Sequence, residues 1–190
     1  MDSESTVPDS SRPAGGKQYK TLDATKFELL GPGTATISQG VGGVIVVNAP
    51  QADVEHLEVK LSGDTLKVEY RGGLLRNRGP EGPIRYELTV PLLEELKLSG
   101  GLAIEATNLD GKELKVELKD GSSLTLAQIR TSQLDAKADA GSRLTASGTA
   151  TQQKIKLAGK STYQGGGLDT EEAEIDAAGG SEATARVTKK

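Results

Sequence analysis

The chain has 190 residues, 26% of them charged and only 3% aromatic, with a formal net charge of −4. That length suits one domain plus a tail. The acidic balance argues against nucleic acid and anionic membrane surfaces as partners, because both reward a basic face. The chain contains no cysteine, which excludes disulfides and thiolate metal sites.

Residues 1–18 are rich in Ser, Pro and Gly with almost no apolar content, the composition of a flexible tether. The domain itself is expected over 19–190, as irregular first coils over 19–91 and five regular rungs over 92–190. No apolar run is long enough for a signal h-region or a membrane span. Direct membrane insertion of this chain is therefore not expected. A polar tether ahead of a compact domain is also what a mature, lipid-anchored chain presents once its leader is removed.

From Tyr19 to Pro91 the pattern is β-rich but uneven. Phe27 and Leu29 open a strand, and Thr34 to Ile37 follow the turn at Gly31 and Gly33. The unbroken apolar run Val44 to Val47 predicts a strand covered on both faces. Leu57, Val59 and Leu61 alternate with polar residues, as do Leu66, Val68 and Tyr70 after a turn at Gly63. Residues 71–83 are Gly- and Pro-rich and predict a protruding loop. Its Leu74 and Leu75 are apolar without an evident partner, and so are interface candidates for a small closed homo-oligomer, a trimer first. Arg71, Arg76, Arg78 and Arg85 gather in and beside the loop as candidate contacts for an anion or an acidic glycan. Tyr86, Leu88 and Val90 then form a strand stopped by Pro91.

Beyond Leu93 the chain repeats itself about every 20 residues, five times. Leu96, Val116, Ala136, Ile155 and Ile175 form one column, and Leu98, Leu118, Ala138, Leu157 and Ala177 the next. After a turn come Ile104, Leu124, Leu144, Tyr163 and Ala183, then Ala106, Leu126, Ala146, Gly165 and Ala185. A period of two puts each pair on one face of a strand, and the turns at Gly100, Gly121, Gly141, Gly159 and Gly179 give sharp corners. One such coil cannot bury its apolar face alone; stacking at about 4.8 Å pairs each backbone with its neighbours. No copy has a helical half or a turn Asn, which disfavours leucine-rich repeats. A parallel β-helix fits. Serines at Ser122, Ser142, Ser161 and Ser181 add a column after the turn, expected to bond turn backbone.

Little in the sequence carries chemistry. The one histidine, His56, has no second His or Cys to share a metal and reads as a solvated surface residue. Lys119, Asp120 and Asp139 are outward on neighbouring rungs, as polysaccharide-cleaving β-helix enzymes require, but nothing implies a cleft between them. The glycine runs at Gly42 and Gly165 lack the Gly-Lys-Ser/Thr of a phosphate loop and read as corners. We expect no catalytic residues, metal or cofactor.

Several stretches resemble the head GIN-domain family of auto-transporter adhesins. They are the Phe27 strand, the run Thr36 to Gly40, the run Gly63 to Val68, the junction Val90 to Gly101, and the later rungs through Thr162, Tyr163 and Gly165. The resemblance covers roughly 21–190. It implies an all-β, single-stranded, right-handed β-helix, exported and tethered to a bacterial envelope. Its implied role is non-enzymatic presentation of a face to an envelope protein or glycan, in the periplasm or at the cell surface. The alternatives are a carbohydrate-active lyase or glycosidase, and a self-assembling structural solenoid marked by uncapped apolar ends.

The repeat makes a direct prediction. Leu118→Asp should cost several kcal/mol by burying a lone carboxylate, whereas Lys119→Asp should change stability by about 0.5 kcal/mol or less. Equal melting temperatures for the two variants would break the strand assignment.

Overall fold

The computed structural model describes residues 16–22, 24–72 and 79–188. Its elements run β1 (Gly16–Leu22), β2 (Lys26–Leu30), β3 (Thr34–Gln39), β4 (Gly43–Asn48), α1 (Gln51–Val54), β5 (Leu57–Ser62), β6 (Thr65–Tyr70) and β7 (Arg85–Val90). They continue as β8 (Glu95–Ser99), β9 (Ala103–Thr107), β10 (Asp110–Leu118), β11 (Ser123–Ala138), β12 (Arg143–Leu157), β13 (Thr162–Ala177) and β14 (Glu182–Val187). The fold is all-β, a β-solenoid with successive rungs about 20 residues apart.

The long strands bend round more than one side of the coil. On the first side β8, β10 and the second halves of β11, β12 and β13 pair in parallel, so Leu98, Leu118, Ala138, Leu157 and Ala177 lie in register. On the second side β9, the first halves of β11, β12 and β13, and β14 align Ile104, Leu124, Leu144, Tyr163 and Ala183. These are the columns the sequence predicts. A third side joins them, through Asp110–Glu113 and its equivalents 130–133 and 149–152, also in parallel register.

Corner chemistry fixes the register. Between the first and second sides both turn residues have positive φ: Asp120 and Gly121, Ala140 and Gly141, Gly159 and Lys160. That is the geometry of a type I′ turn. Each turn closes on itself, as in Ser122 N donating to Lys119 O at 3.2 Å, and bonds to the next turn, as in Gly121 N donating to Ala140 O at 2.9 Å. At the corner leading to the third side Asn108, Gln128 and Gly148 also take positive φ. A Cβ on Gly148 would lie 2.1 Å from the carbonyl oxygen of Ile129. The serine column serves the turns only in part. Ser142 Oγ donates to Asp139 O at 2.6 Å and Ser181 Oγ accepts from Ser161 N at 3.1 Å, while the buried hydroxyls of Ser122 and Ser161 have no partner among the described residues.

The core is one continuous cluster, narrow toward the later rungs. There Tyr163 is fully buried, and a Cβ on Gly165 would lie 2.3 Å from its hydroxyl, so the glycine makes room for the ring. Burial pushes the Tyr163 phenol well above its ordinary pKa. Its O–H donates to Gln153 Oε1 at 2.6 Å, Gln153 Nε2 donates to Thr170 Oγ1 at 2.9 Å, and Thr170 Oγ1 donates to Arg186 O at 2.9 Å. This chain of bonds satisfies the buried side chains of Tyr163, Gln153 and Thr170, as burial demands.

The N-terminal half joins the same stack, but not in chain order. β2 lies between β6 and β8, and β3 between β7 and β9, all in parallel. The coil 26–39 is thus held between two coils that come later in the chain. β4 pairs antiparallel to β7, β5 pairs antiparallel to β6, and α1 joins them. The Val44 to Val47 run is therefore covered on one face only: Ile45 and Val47 are buried, Val44 and Val46 half-buried. The buried Asp53 carboxylate fastens this end, accepting from Tyr70 O–H at 3.0 Å, Glu81 N at 3.1 Å and Gly82 N at 3.3 Å.

Two substitutions test the corners. Ala140→Gly should raise stability by about 1 kcal/mol by relieving a left-handed alanine. Gly148→Ala should lower it by about 3 kcal/mol or more, because strain and a backbone clash add. Chemical denaturation reads both, and a destabilised Ala140→Gly would contradict the turn assignment.

Candidate ligand-binding face

The outer surface of the first side is a charge ladder. Lys26, Glu95, Lys115, Asp135, Lys154 and Glu174 form one outward column. Lys67, Glu28, Lys97, Glu117, Lys137, Lys156 and Asp176 form the next. In-register stacking sets neighbours about 4.8 Å apart, so alternation of sign replaces repulsion with attraction at every step but one, where Lys137 stands beside Lys156. Lys97 Nζ lies 3.0 Å from Glu95 Oε1 and 3.1 Å from Glu28 Oε1, and Lys154 Nζ lies 3.0 Å from Glu174 Oε2. Hydrogen bonds to Glu95 and Glu28 raise the Lys97 pKa, and the bond from Lys119 holds Glu117 below the usual carboxylate range. Each exposed pair contributes little. Together they neutralise this surface and leave little charge for a ligand.

The third side is different. A hollow of about 420 Å³ opens there, lined by Asn108, Asp110, Gln128, Ile129, Arg130, Gly148 and Thr149. A second, of about 360 Å³, adjoins it through Thr149 and includes Thr131, Thr151, Asp169, Glu171, Arg186 and Thr188. The outward column Asp110, Arg130, Thr149, Asp169, Arg186 runs through both in strand register. Asp110 and Arg130 face each other across adjacent rungs with no ion pair joining them among the described residues. Arg186 Nε, by contrast, lies 3.0 Å from Asp169 Oδ1. At the upstream end Asp110 N donates to Gln39 Oε1 at 2.6 Å and Gln39 Nε2 to Pro91 O at 3.0 Å, which fixes the first rung of the face. The corner residues Asn108 and Gln128 hold their exposed amides at its rim because their backbone is left-handed. The result is a groove of amides, hydroxyls and charges of both signs, with Asp110 and Arg130 in the first hollow and Asp169, Glu171 and Arg186 in the second, sized for a small ligand.

The residues the sequence singled out lie elsewhere. Arg71 is occupied, 2.8 Å from Glu58 Oε2 and 3.2 Å from Glu69 Oε2, and Arg85 is exposed on β7. Arg76, Arg78, Leu74 and Leu75 lie outside the described residues. His56 is exposed, its ring edge-on to Tyr70. Asp120 accepts from the Ser99 hydroxyl and Asp139 from Ala140 N at 2.6 Å, so both carboxylates serve turns. Lys119 pairs with Glu117, which makes Lys119→Gln the cleaner surface control. No group of three His, Cys, Asp or Glu placed to hold a metal occurs among the described residues. The third-side residues were missed because sequence reading followed the apolar columns. Their signal was present: Asn108, Gln128 and Gly148 recur with the rung period, as do Asp110, Arg130 and Thr149.

Comparison with solved structures finds the same fold in bacterial proteins of low sequence identity. The chain is similar to a "putative adhesin" from Bacteroides fragilis, with a TM-score of 0.82 at 17% identity over 91% of this chain and 80% of that one. A "putative lipid binding protein" from Parabacteroides distasonis matches with a TM-score of 0.65 at 16% identity, over 90% and 80%. A "putative adhesin" from Parabacteroides merdae matches with a TM-score of 0.64 at 14% identity, over 89% and 79%. A comparison with curated proteins finds no match. The model of one family, described as "Putative auto-transporter adhesin, head GIN domain", matches residues 25–190, and the chain belongs to that family.

Proposed function

We propose that this domain is a non-enzymatic binding module of a bacterial cell envelope, a right-handed β-helix that holds a hydroxyl-rich glycan in its third-side groove. The observation that carries the reading is the uncommitted polar lining of that groove: Asn108, Asp110, Gln128, Arg130 and Thr149 converge on one hollow. Amides, a carboxylate, a guanidinium and a hydroxyl are the groups that exchange hydrogen bonds with sugar hydroxyls. Handedness follows from the strong right-handed preference of connections between parallel strands. Export and N-terminal tethering rest on the family and on the adhesin descriptions of its structural neighbours. No described helix is long and apolar enough to cross a membrane.

The enzymatic alternative has less support, because Asp120 and Asp139 are engaged in turns and the third-side carboxylates alternate with cations. Titration against a panel of bacterial surface glycans, followed by amide NMR, tests the proposal. Binding should move amides of 108–110, 128–131 and 148–151. Arg130→Ala and Asp110→Ala should each weaken it at least about tenfold, the cost of one or two charge-assisted hydrogen bonds. No new reducing ends should appear. Binding unaffected by either variant, or turnover of any glycan, would overturn the proposal.

A further inference from the structure

The second half of β13 is paired on one side only. β12 lies against it through Gln152 to Leu157, while β14 pairs only with residues 162–170. Along 171–177 the other edge has no strand beside it among the described residues. Its inward positions Ala173, Ile175 and Ala177, which continue the core columns, are exposed, Ile175 by 37%. A bare edge with apolar residues behind it is a ready acceptor for an added strand.

The ladder states what that strand must carry. Glu174 lies above Lys154 and Asp176 above Lys156, and in both columns no further residue follows among the described residues. Glu171 and Glu172 add to the same edge, with Glu172 bound to the uncharged Gln152. Sign alternates at every step of the two columns except Lys137 beside Lys156, and by that pattern the next outward positions call for cations, and the inward ones for small apolar side chains. We propose that the free edge of β13 accepts a β-strand from a partner protein, with Lys or Arg at alternate positions and small apolar residues between them. β12 supplies the template, since Lys154, Ile155 and Lys156 already sit against the opposite edge. A second copy is a poor occupant. Edge to edge, it would set four carboxylates against the same four, and the outer strands at the other end of the stack do not match: β5 carries Glu58 as well as Lys60 at its alternate positions, and Lys17 and Lys20 of β1 are not two apart. This proposal does not depend on the glycan reading, whose contacts Asn108, Asp110, Gln128, Arg130 and Thr149 line the first hollow; of the edge residues named here only Glu171 borders the second.

Two capped peptides and the isotope-labelled full chain test it by amide NMR. One peptide copies residues 151–158, and the other carries Lys154→Glu and Lys156→Glu. The basic peptide should shift the amides of 171–177 and bind at least about tenfold more tightly than the acidic one. Changing Glu174→Lys and Asp176→Lys in the protein should reverse the preference, with the rest of the amide spectrum confirming the fold. The milder Asp176→Asn should reduce it. Equal affinity for the two peptides, no shift at 171–177 at millimolar peptide, or a dimer that protects those same amides would each overturn the proposal.

Discussion

Everything in this molecule depends on backbone hydrogen bonds that run along the stack between strands in exact register. No single coil encloses a core; its apolar residues are dry only because the rung above and the rung below are in place. Register then multiplies every local choice. A left-handed corner residue recurs at the next corner, so glycine or a tolerated substitute must appear once per rung, as at Gly121, Gly141 and Gly159. A charged side chain meets the same position of its neighbour at strand spacing, so on the first side signs alternate at every step except Lys137 beside Lys156. Bulk in one rung must be answered in the same rung, as Gly165 answers Tyr163. The low aromatic content follows from the same constraint, because a narrow coil has little room for rings.

The capped end solves a different problem. A coil at the start of a solenoid would expose one whole edge, and here the chain places its first coil inside. Residues 26–39 are laid down, the chain runs on through β4, α1 and β5, and β6 and β7 then cover the outer side. Only afterwards do β8 and β9 close the inner side. Gly31 records how tight this sandwich is: a Cβ there would lie 2.8 Å from Tyr70 Cβ, and one on Gly100 would lie 2.9 Å from Gly31 Cα. Asp53 ties the crossing together by gathering Tyr70 and the backbone at Glu81 and Gly82. Stacking can propagate rung by rung from β8 onward, but this end requires contacts between residues some 70 apart, the more costly kind to form.

These two regimes explain what could be read from sequence. The rungs beyond Leu93 were legible because equivalent residues recur at a fixed interval, so the columns and the neighbour of each strand come from one count. The stacking of β2 between β6 and β8 was not legible, since alternation says which face of a strand is buried but not which strand lies beside it. The apolar run at Val44 misled for a related reason. Continuous hydrophobicity reads as two covered faces, but Val44 and Val46 are half-buried on the outer face of an antiparallel end sheet. The groove escaped attention because its alternating residues are polar, and polar alternation is what any solvated face shows. Only its curvature, set by the left-handed Asn108 and Gln128, distinguishes it.

The three sides therefore divide the work by how much of their polarity is already spent. On the first side the columns are largely self-neutralised, and a ligand there would have to displace ion pairs before gaining anything. On the third side the column Asp110, Arg130, Thr149, Asp169, Arg186 is broken by an uncharged residue in the middle, so the upstream Asp110 and Arg130 are not drawn into a continuous ladder. Thr149 also joins the two hollows. A linear ligand lying along the axis would thus meet Asp, Arg, Thr, Asp and Arg in turn, an order that differs when read from the other end. It would bind in one direction only. A solenoid built by repetition gains specificity at the place where its repetition lapses.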